Sequence, residues 1–311
     1  MRLPPELLLQ ITSYYPLTCS SYEANALATP RLAFERIDTI RALASCSHRM
    51  RLCFYPLLWE RFYAEPLSSP ATSILLATHG VNMPVRRLRR LLLAPHIWPH
   101  IRYLSVAFLH ADEVDDGTTS ALIQILRRLP TLTGLTFSTV LTPQVPLILG
   151  GFEQKQFGDV RELAIGHHSL GDIFRSFPNV EKLRIPWGRG LSANCLELAG
   201  GWFGRLTWLT FLTLGEPVAA TIVTHCPRIR RIDVAACPDR DQLVILRRLP
   251  GLEYLSFRFV IADSGSKAAP IITLAKAILR ASAAPGVKTV RVDWMESYLL
   301  NIVQYSDYHR V

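Results

Sequence analysis

With 311 residues the chain exceeds the usual size of one domain, leaving room for a long solenoid or two ordinary domains. Hydrophobic residues are 49% of it and charged residues only 19%, enough apolar surface to offset chain entropy and exclude large-scale disorder. The net charge of +9 is carried by scattered arginine pairs such as Arg127-Arg128 and Arg247-Arg248, so charge alone makes no case for nucleic acid as a partner.

The opening Met1-Arg2-Leu3-Pro4-Pro5-Glu6 has prolines and an acid where a secretory signal needs an apolar core, so no signal peptide is expected. Pro, Arg or Thr interrupts every long apolar run, so no membrane span is expected either. Cysteines at 19, 46, 53, 195, 226 and 237 form no C-x-x-C pair. Reduced, mostly buried thiols are expected, which suits the cytoplasm or nucleus.

In chain order, Pro4-Pro5 can start a helix that gathers Leu7, Leu8, Ile11 and Tyr15 on one face. Residues 16–38, with Thr29-Pro30, read as an inserted loop. A second helix is expected over Ile40–Phe54, burying Leu43, Met50 and Phe54, until Pro56 stops it and starts a third through Leu57-Leu58-Trp59 to Tyr63. Residues 66–100 read as a helical connector whose Arg86–Arg90 run, interleaved with leucines, is the charged outer face of a helix.

From residue 101 a repeat sets in. Ile125–Phe137 matches Ile245–Phe257 at nine of thirteen positions. The core pattern, apolar-x-x-Leu-x-apolar, recurs at Ile101/Leu104/Val106, Leu132/Leu135/Phe137, Val160/Leu163/Ile165, Val180/Leu183/Ile185, Leu209/Leu212/Leu214, Ile229/Ile232/Val234, Leu252/Leu255/Phe257 and Val287/Val290/Val292. Such a pattern arises by chance in an apolar chain, but proline does not arise with it. Six of the eight units carry Pro two residues before the first apolar position, against about half of one expected from 21 prolines in 311 residues. Helical spacing between units, as in Leu122, Ile125, Leu126, Leu129 and in Ile271, Leu274, Ile278, makes each unit a strand plus a helix. The expectation is an α/β chain of eight parallel strands with helices outside, ending in a helical cap.

This series resembles a degenerate leucine-rich-repeat solenoid, which implies strands lining a concave side. Positions alternating with the buried ones would then face a ligand: Tyr103, Lys182, Arg184, Phe211, Arg231, Tyr254, Arg258 and Arg291. Aromatic and arginine side chains suit binding hot spots and carboxylate or phosphate groups, so an acidic or phosphorylated protein segment is the expected ligand.

Residues 1–65 resemble an F-box through Leu3-Pro4-x-Glu6-Leu7-Leu8-x-x-Ile11, then Leu43-Ala44 with Ser47-His48-Arg49-Met50, then Pro56-Leu57-Leu58-Trp59. The loop between the first helices is longer than usual, and Met50 stands where Trp or Leu is common; such insertions resemble fungal F-box proteins with leucine-rich repeats. The resemblance implies a non-catalytic substrate-recognition subunit of an SCF-type (Skp1-cullin-F-box) E3 ubiquitin ligase. Leu3, Pro4, Leu7, Leu8, Ile11, Leu43, Leu57, Leu58 and Trp59 would dock the Skp1 adaptor, and residues 101–311 would hold the substrate. The alternative is a repeat scaffold whose first helices only cap the solenoid.

Other chemistry finds little footing. Asp112, Glu113, Asp115 and Asp116 lack calcium-loop spacing and read as a helix-starting loop. His96 and His100 stand four apart, but Pro99 interrupts their helix, and His167-His168 in a strand would point to opposite faces, so no metal is expected. Gly188-Arg189-Gly190 is too short for a phosphate cradle, no nucleophile motif occurs, and neither cofactor nor catalysis is expected.

Overall fold

The computed structural model describes residues 30–64, 83–108, 116–185, 193–212, 214–260, 264–295 and 303–311. Leu3, Pro4, Leu7, Leu8, Ile11, Asp112 to Asp115 and Gly188 to Gly190 lie outside the described residues. Mixed α/β structure divides into two compact units, Met1–Gly151 and Phe152–Val311.

The first unit opens with helices α1 (Pro30–Cys46) and α2 (His48–Trp59). The single helix expected over 40–54 is broken because Ser47 has extended backbone and its hydroxyl accepts the Met50 N–H, a serine N-cap. Pro56 does not stop α2, which runs on to Trp59. Where a third helix was expected, Arg61–Ala64 forms strand β1. Helix α1 also begins inside the stretch read as a loop. Ile40, Ala44 and Phe54 form the buried centre of this pair. Helix α3 (Met83–Leu92) carries the expected arginines, with Val85, Leu88 and Leu91 buried on its other side. Strand β2 (Tyr103–Ala107), helix α4 (Asp116–Arg128) and strand β3 (Gly134–Thr139) follow, and β1, β2 and β3 pair in parallel. Helix α5 is Val145–Phe152.

The second unit contributes strands β4 (Glu162–Ile165), β5 (Lys182–Arg184), β6 (Trp208–Leu212), β7 (Arg231–Val234), β8 (Tyr254–Val260) and β9 (Thr289–Met295), paired in parallel in chain order. Between them lie helices α6 (Ala193–Trp202), α7 (Glu216–His225), α8 (Arg240–Leu246) and α9 (Ser264–Ala281). In the stretch where a helical cap was expected, Val303–Arg310 forms strand β10, antiparallel to β9. No helix among the described residues is long and apolar enough to cross a membrane.

The repeating proline has a local cause. It occupies the second position of a four-residue turn in which the N–H of the first apolar residue donates to the carbonyl three residues back: Ile101 to Trp98, Leu132 to Leu129, Val180 to Phe177 and Ile229 to Cys226. Proline's fixed φ suits that position and its missing N–H costs nothing there. Val160 to Phe157 and Leu206 to Phe203 close the same turn with Gly158 and Gly204 in place of proline.

One residue after each turn, a single carbonyl accepts two successive N–H groups of the next repeat. Glu181 O accepts from Thr207 and Trp208 at 2.9 and 3.1 Å, Thr207 O from Arg230 and Arg231 at 2.8 and 3.0 Å, and Arg230 O from Glu253 and Tyr254 at 2.8 and 3.1 Å. Arg161 O does the same for Glu181 and Lys182, and in the first unit Arg102 O does so for Thr133 and Gly134. These forks align the entries of β3 and of β5 to β8, while at β9 the Glu253 carbonyl accepts from Thr289 alone. One apolar row follows in register: Leu163, Leu183, Leu209, Ile232, Leu255 and Val290 are each at most 1% exposed. Burial of each such side chain contributes about 2 kcal/mol.

That alignment corrects one unit. Leu209, not Leu212, stands beside Leu183 and Ile232, so the fifth unit reads Leu206/Leu209/Phe211. An irregularity in pairing with β7 falls between Leu209 and Leu212 and contains Phe211.

Neighbouring glycines at the end of α6 give a test of the helix packing. A Cβ on Gly200 would run into the carbonyl of His225 at the end of α7, whereas one on Gly201 would meet nothing within 4 Å. Gly200→Ala is therefore expected to lower stability by about 2 kcal/mol as the helices separate. Gly201→Ala should raise it by about 0.5 kcal/mol through helix propensity. Thermal or urea unfolding of the two variants checks the opposite signs.

Candidate binding site: the polar face of the second unit

Residues that alternate with the apolar row form the opposite face of β4 to β10. At the strand entries Glu162, Lys182, Trp208, Arg231, Tyr254, Thr289 and Arg310 stand side by side. Further along come Arg184 beside Thr210, then Ser256, Arg291 and Tyr308, and then Arg258, Asp293 and Ser306. The face is thus largely polar while the other is apolar, the alternation expected of a strand.

Trp208 is its centre. The Lys182 ammonium lies 4.1 Å from the indole centroid, the Arg231 guanidinium lies 5.4 Å from it, and the indole N–H donates to Asp233 Oδ2 at 2.5 Å. Both cations sit where the ring quadrupole attracts them. Lys182 also pairs with Glu162 at 3.4 Å and Arg231 with Glu253 at 3.1 Å.

Deeper on this face the charges are buried. Arg184, Arg258 and Asp293 are 5%, 4% and 2% exposed. Arg291 Nε donates to Asp293 Oδ1 at 2.7 Å, and Ser306 donates to the same oxygen at 2.6 Å. Burial pulls the Arg184 guanidinium down to about 10, opposed by the charge of Asp233. Burial likewise lowers Arg258, with Asp293 and then Asp233 opposing. Asp233 is pushed above the usual carboxylate range by burial, although Trp208, Arg291 and Lys182 favour its charged form. Arg291 goes the other way: burial disfavours its charge, but Asp293 and Tyr254 outweigh that and raise it. Tyr254 is raised, chiefly by burial. The result is an interleaved floor of guanidinium and carboxylate in which each charge relies on its neighbours.

The structure brings Lys182, Arg184, Arg231, Tyr254, Arg258 and Arg291 together on this face. It corrects the expectation that all six meet a ligand: Arg184 and Arg258 are buried and build the floor, while Arg231 is exposed and Lys182, Tyr254 and Arg291 are half-buried. Phe211 lies at the irregularity, and Trp208 takes the in-register position that the sequence reading gave it. Placing the repeat at Leu206 would have found Trp208, since the spacings to the flanking units at 180 and 229 become 26 and 23 instead of 29 and 20. Tyr103 belongs to the first unit, where the Arg61 guanidinium stacks 4.1 Å from its ring and Gly134 leaves room for that ring on β3.

The adaptor candidates in α1 and α2 are partly used internally. Leu43, Leu57 and Leu58 pack against the Ile40, Ala44 and Phe54 centre, and Trp59 meets Tyr55 edge to face at 6.0 Å. Leu52 is the prominent exposed apolar residue of α2, at 65%.

Elsewhere His167 and His168 do not lie in a strand with opposed side chains. Strand β4 ends at Ile165, His167 caps a 3-10 helix over His168–Ser176, and the two rings stack at 4.7 Å. Burial, and then His168, lowers the His167 pKa. The described residues contain no group of three or more His, Cys, Asp or Glu that could hold a metal. Of the five described cysteines only Cys195 and Cys226 are buried, with thiols pushed by burial up to about 12 and about 11. No protein-family model matches the chain, and no curated protein matches it significantly.

The interleaved floor makes a coupled prediction. Arg258→Met leaves buried Asp293 with one fewer compensating charge and is expected to cost about 3 kcal/mol. Adding Asp293→Asn should recover more than half of that loss, because the two residues are cross-strand neighbours. Urea denaturation of the two single variants and the double variant measures the coupling; strictly additive losses would contradict it.

Proposed function

We propose that the chain is a non-catalytic substrate receptor of an SCF-type ubiquitin ligase. Its amino-terminal helical segment docks a Skp1-like adaptor, and the polar face of the second unit holds a protein substrate. The observation that carries the recognition half is the clustering of Trp208, Tyr254, Lys182, Arg231 and Arg291 at the solvent side of one strand face. Large aromatic rings beside arginines supply contact area and bidentate donors together, the composition of binding hot spots.

Which cations a ligand engages follows from their partners. Arg184, Arg258 and Arg291 are committed to the floor carboxylates, and removing them from that arrangement is costly. Arg231 is held at the rim by Glu253, a pair worth about 1 kcal/mol or less where solvent reaches it, and the less exposed Lys182 is held by Glu162. An incoming carboxylate or phosphate replaces those acids at little cost while an apolar side chain lies on Trp208. The preferred substrate is therefore a protein segment with an acidic or phosphorylated residue beside an apolar one. The adaptor half rests on the F-box-like motifs and on the half-buried Leu57 and Leu58 at the end of α2.

The test is co-purification of the full chain with Skp1. Capture by the parent and its loss in Leu8→Asp, with an unchanged thermal transition, is expected, since a charge at an apolar docking position costs several kcal/mol of binding. Absence of capture by the parent would overturn the ligase role and leave a repeat scaffold. For the second unit, acidic and phosphorylated peptides on an array should bind the parent and bind Trp208→Ala/Arg231→Glu at least tenfold more weakly. Equal binding would move the substrate away from this face.

A further inference from the structure

The first unit contains a cavity of about 400 Å³ between α1 and α2, strand β1 and helix α3. Its walls are largely apolar, formed by Leu58, Phe62, Leu91 and Ile97 among others. Four arginines also line it, Arg41, Arg61, Arg87 and Arg90, and no carboxylate does so among the described residues.

Among the described residues, Arg41, Arg61 and Arg90 have one acidic counterpart between them. Arg41 pairs with Asp38 at 2.7 Å on the exposed side of α1, and Arg87 donates to the Tyr63 carbonyl at 3.0 Å. Arg61 lies over the Tyr103 ring, and its Nε and Nη1 are buried without a hydrogen-bond acceptor among the described residues. The indole N–H of Trp59, another lining residue, is likewise buried without an acceptor. Buried donors are nearly always satisfied in native proteins, so this wall has an excess of donors and positive charge.

We propose that this cavity is a binding site for a small organic anion, a carboxylate or phosphate monoester attached to a compact apolar body. The head group supplies the acceptors and negative charge that the wall lacks, and the body fills the space between the leucine, isoleucine and phenylalanine side chains. The volume lies within the usual range for small-molecule sites, which are mostly apolar with a few convergent polar groups. The site uses none of the polar-face residues of the second unit, whereas Leu58 and Trp59 belong both to it and to the proposed adaptor-docking set.

The probes are 4-butylbenzoate and its neutral isostere 4-butylbenzamide, titrated calorimetrically into the full chain. The benzoate is expected to bind with one-to-one stoichiometry and at least tenfold more tightly than the amide. Raising sodium chloride to 0.5 M should weaken the benzoate severalfold and leave the amide unchanged. Arg90→Gln, at an exposed position that the fold does not need, should weaken the benzoate about threefold or more and spare the amide. Ala94→Phe, which places a ring in the cavity, should abolish both. Equal affinities for acid and amide, or benzoate binding untouched by Ala94→Phe in a folded variant, would overturn the proposal. Arg90-dependent retention on phosphatidylserine vesicles without binding of free benzoate would also overturn it, assigning the cations to a lipid headgroup.

Discussion

One carbonyl accepting two successive N–H groups at the entries of β3 and of β5 to β8 is the constraint on which the rest of each unit depends. It fixes the register of neighbouring strands before any side chain is considered, and a slip of one residue would exchange the two faces. Because Glu181, Thr207 and Arg230 each provide this fork, Leu183, Leu209, Ile232 and Leu255 meet in one buried row. Lys182, Trp208, Arg231 and Tyr254 meet in the other. The turn just before each fork delivers the chain in the required direction, which is why proline or glycine recurs at its second position.

Two kinds of charge follow from this register. Arg184, Arg258 and Asp293 lie away from water and are compensated with the help of half-buried Arg291, so they stabilise a geometry and are poorly placed to exchange partners. Arg231 keeps solvent contact and a weak acidic partner, so the proposed ligand would engage it at least cost. Trp208 joins the two levels, since its ring faces Lys182 and Arg231 while its N–H reaches Asp233. An approach to the rim is thereby coupled to the floor through a single side chain.

The strand-and-helix alternation was legible because proline is rare enough to count and each proline has one local role. Leu129-Pro130-Thr131-Leu132 and Leu249-Pro250-Gly251-Leu252 announce themselves as copies, and their leucines at 129, 132, 249 and 252 are all at most 5% exposed. Phe203-Gly204-Arg205-Leu206 makes the same turn without proline, so the fifth unit was placed three residues late and Trp208 was missed. Strand β1 was hidden because Arg61–Ala64 is too short to show alternation and completes its pattern only by pairing with β2. Strand β10 was hidden because its polar alternation, Ser306, Tyr308 and Arg310, gains meaning only against β9. The burial of Arg184 and Arg258 depends on neighbouring strands and leaves no mark in their own segments.

The central claim is that the Leu206 entry puts Trp208 on the polar face in contact with Asp233, and nuclear magnetic resonance of the indole N–H groups tests it most directly. In the parent one of the slowly exchanging indole resonances should disappear in Trp208→Phe, and the same resonance should shift and lose its protection in Asp233→Asn. Solvent-rate exchange of the Trp208 indole, or a resonance indifferent to Asp233→Asn, would contradict the register and the polar face built on it.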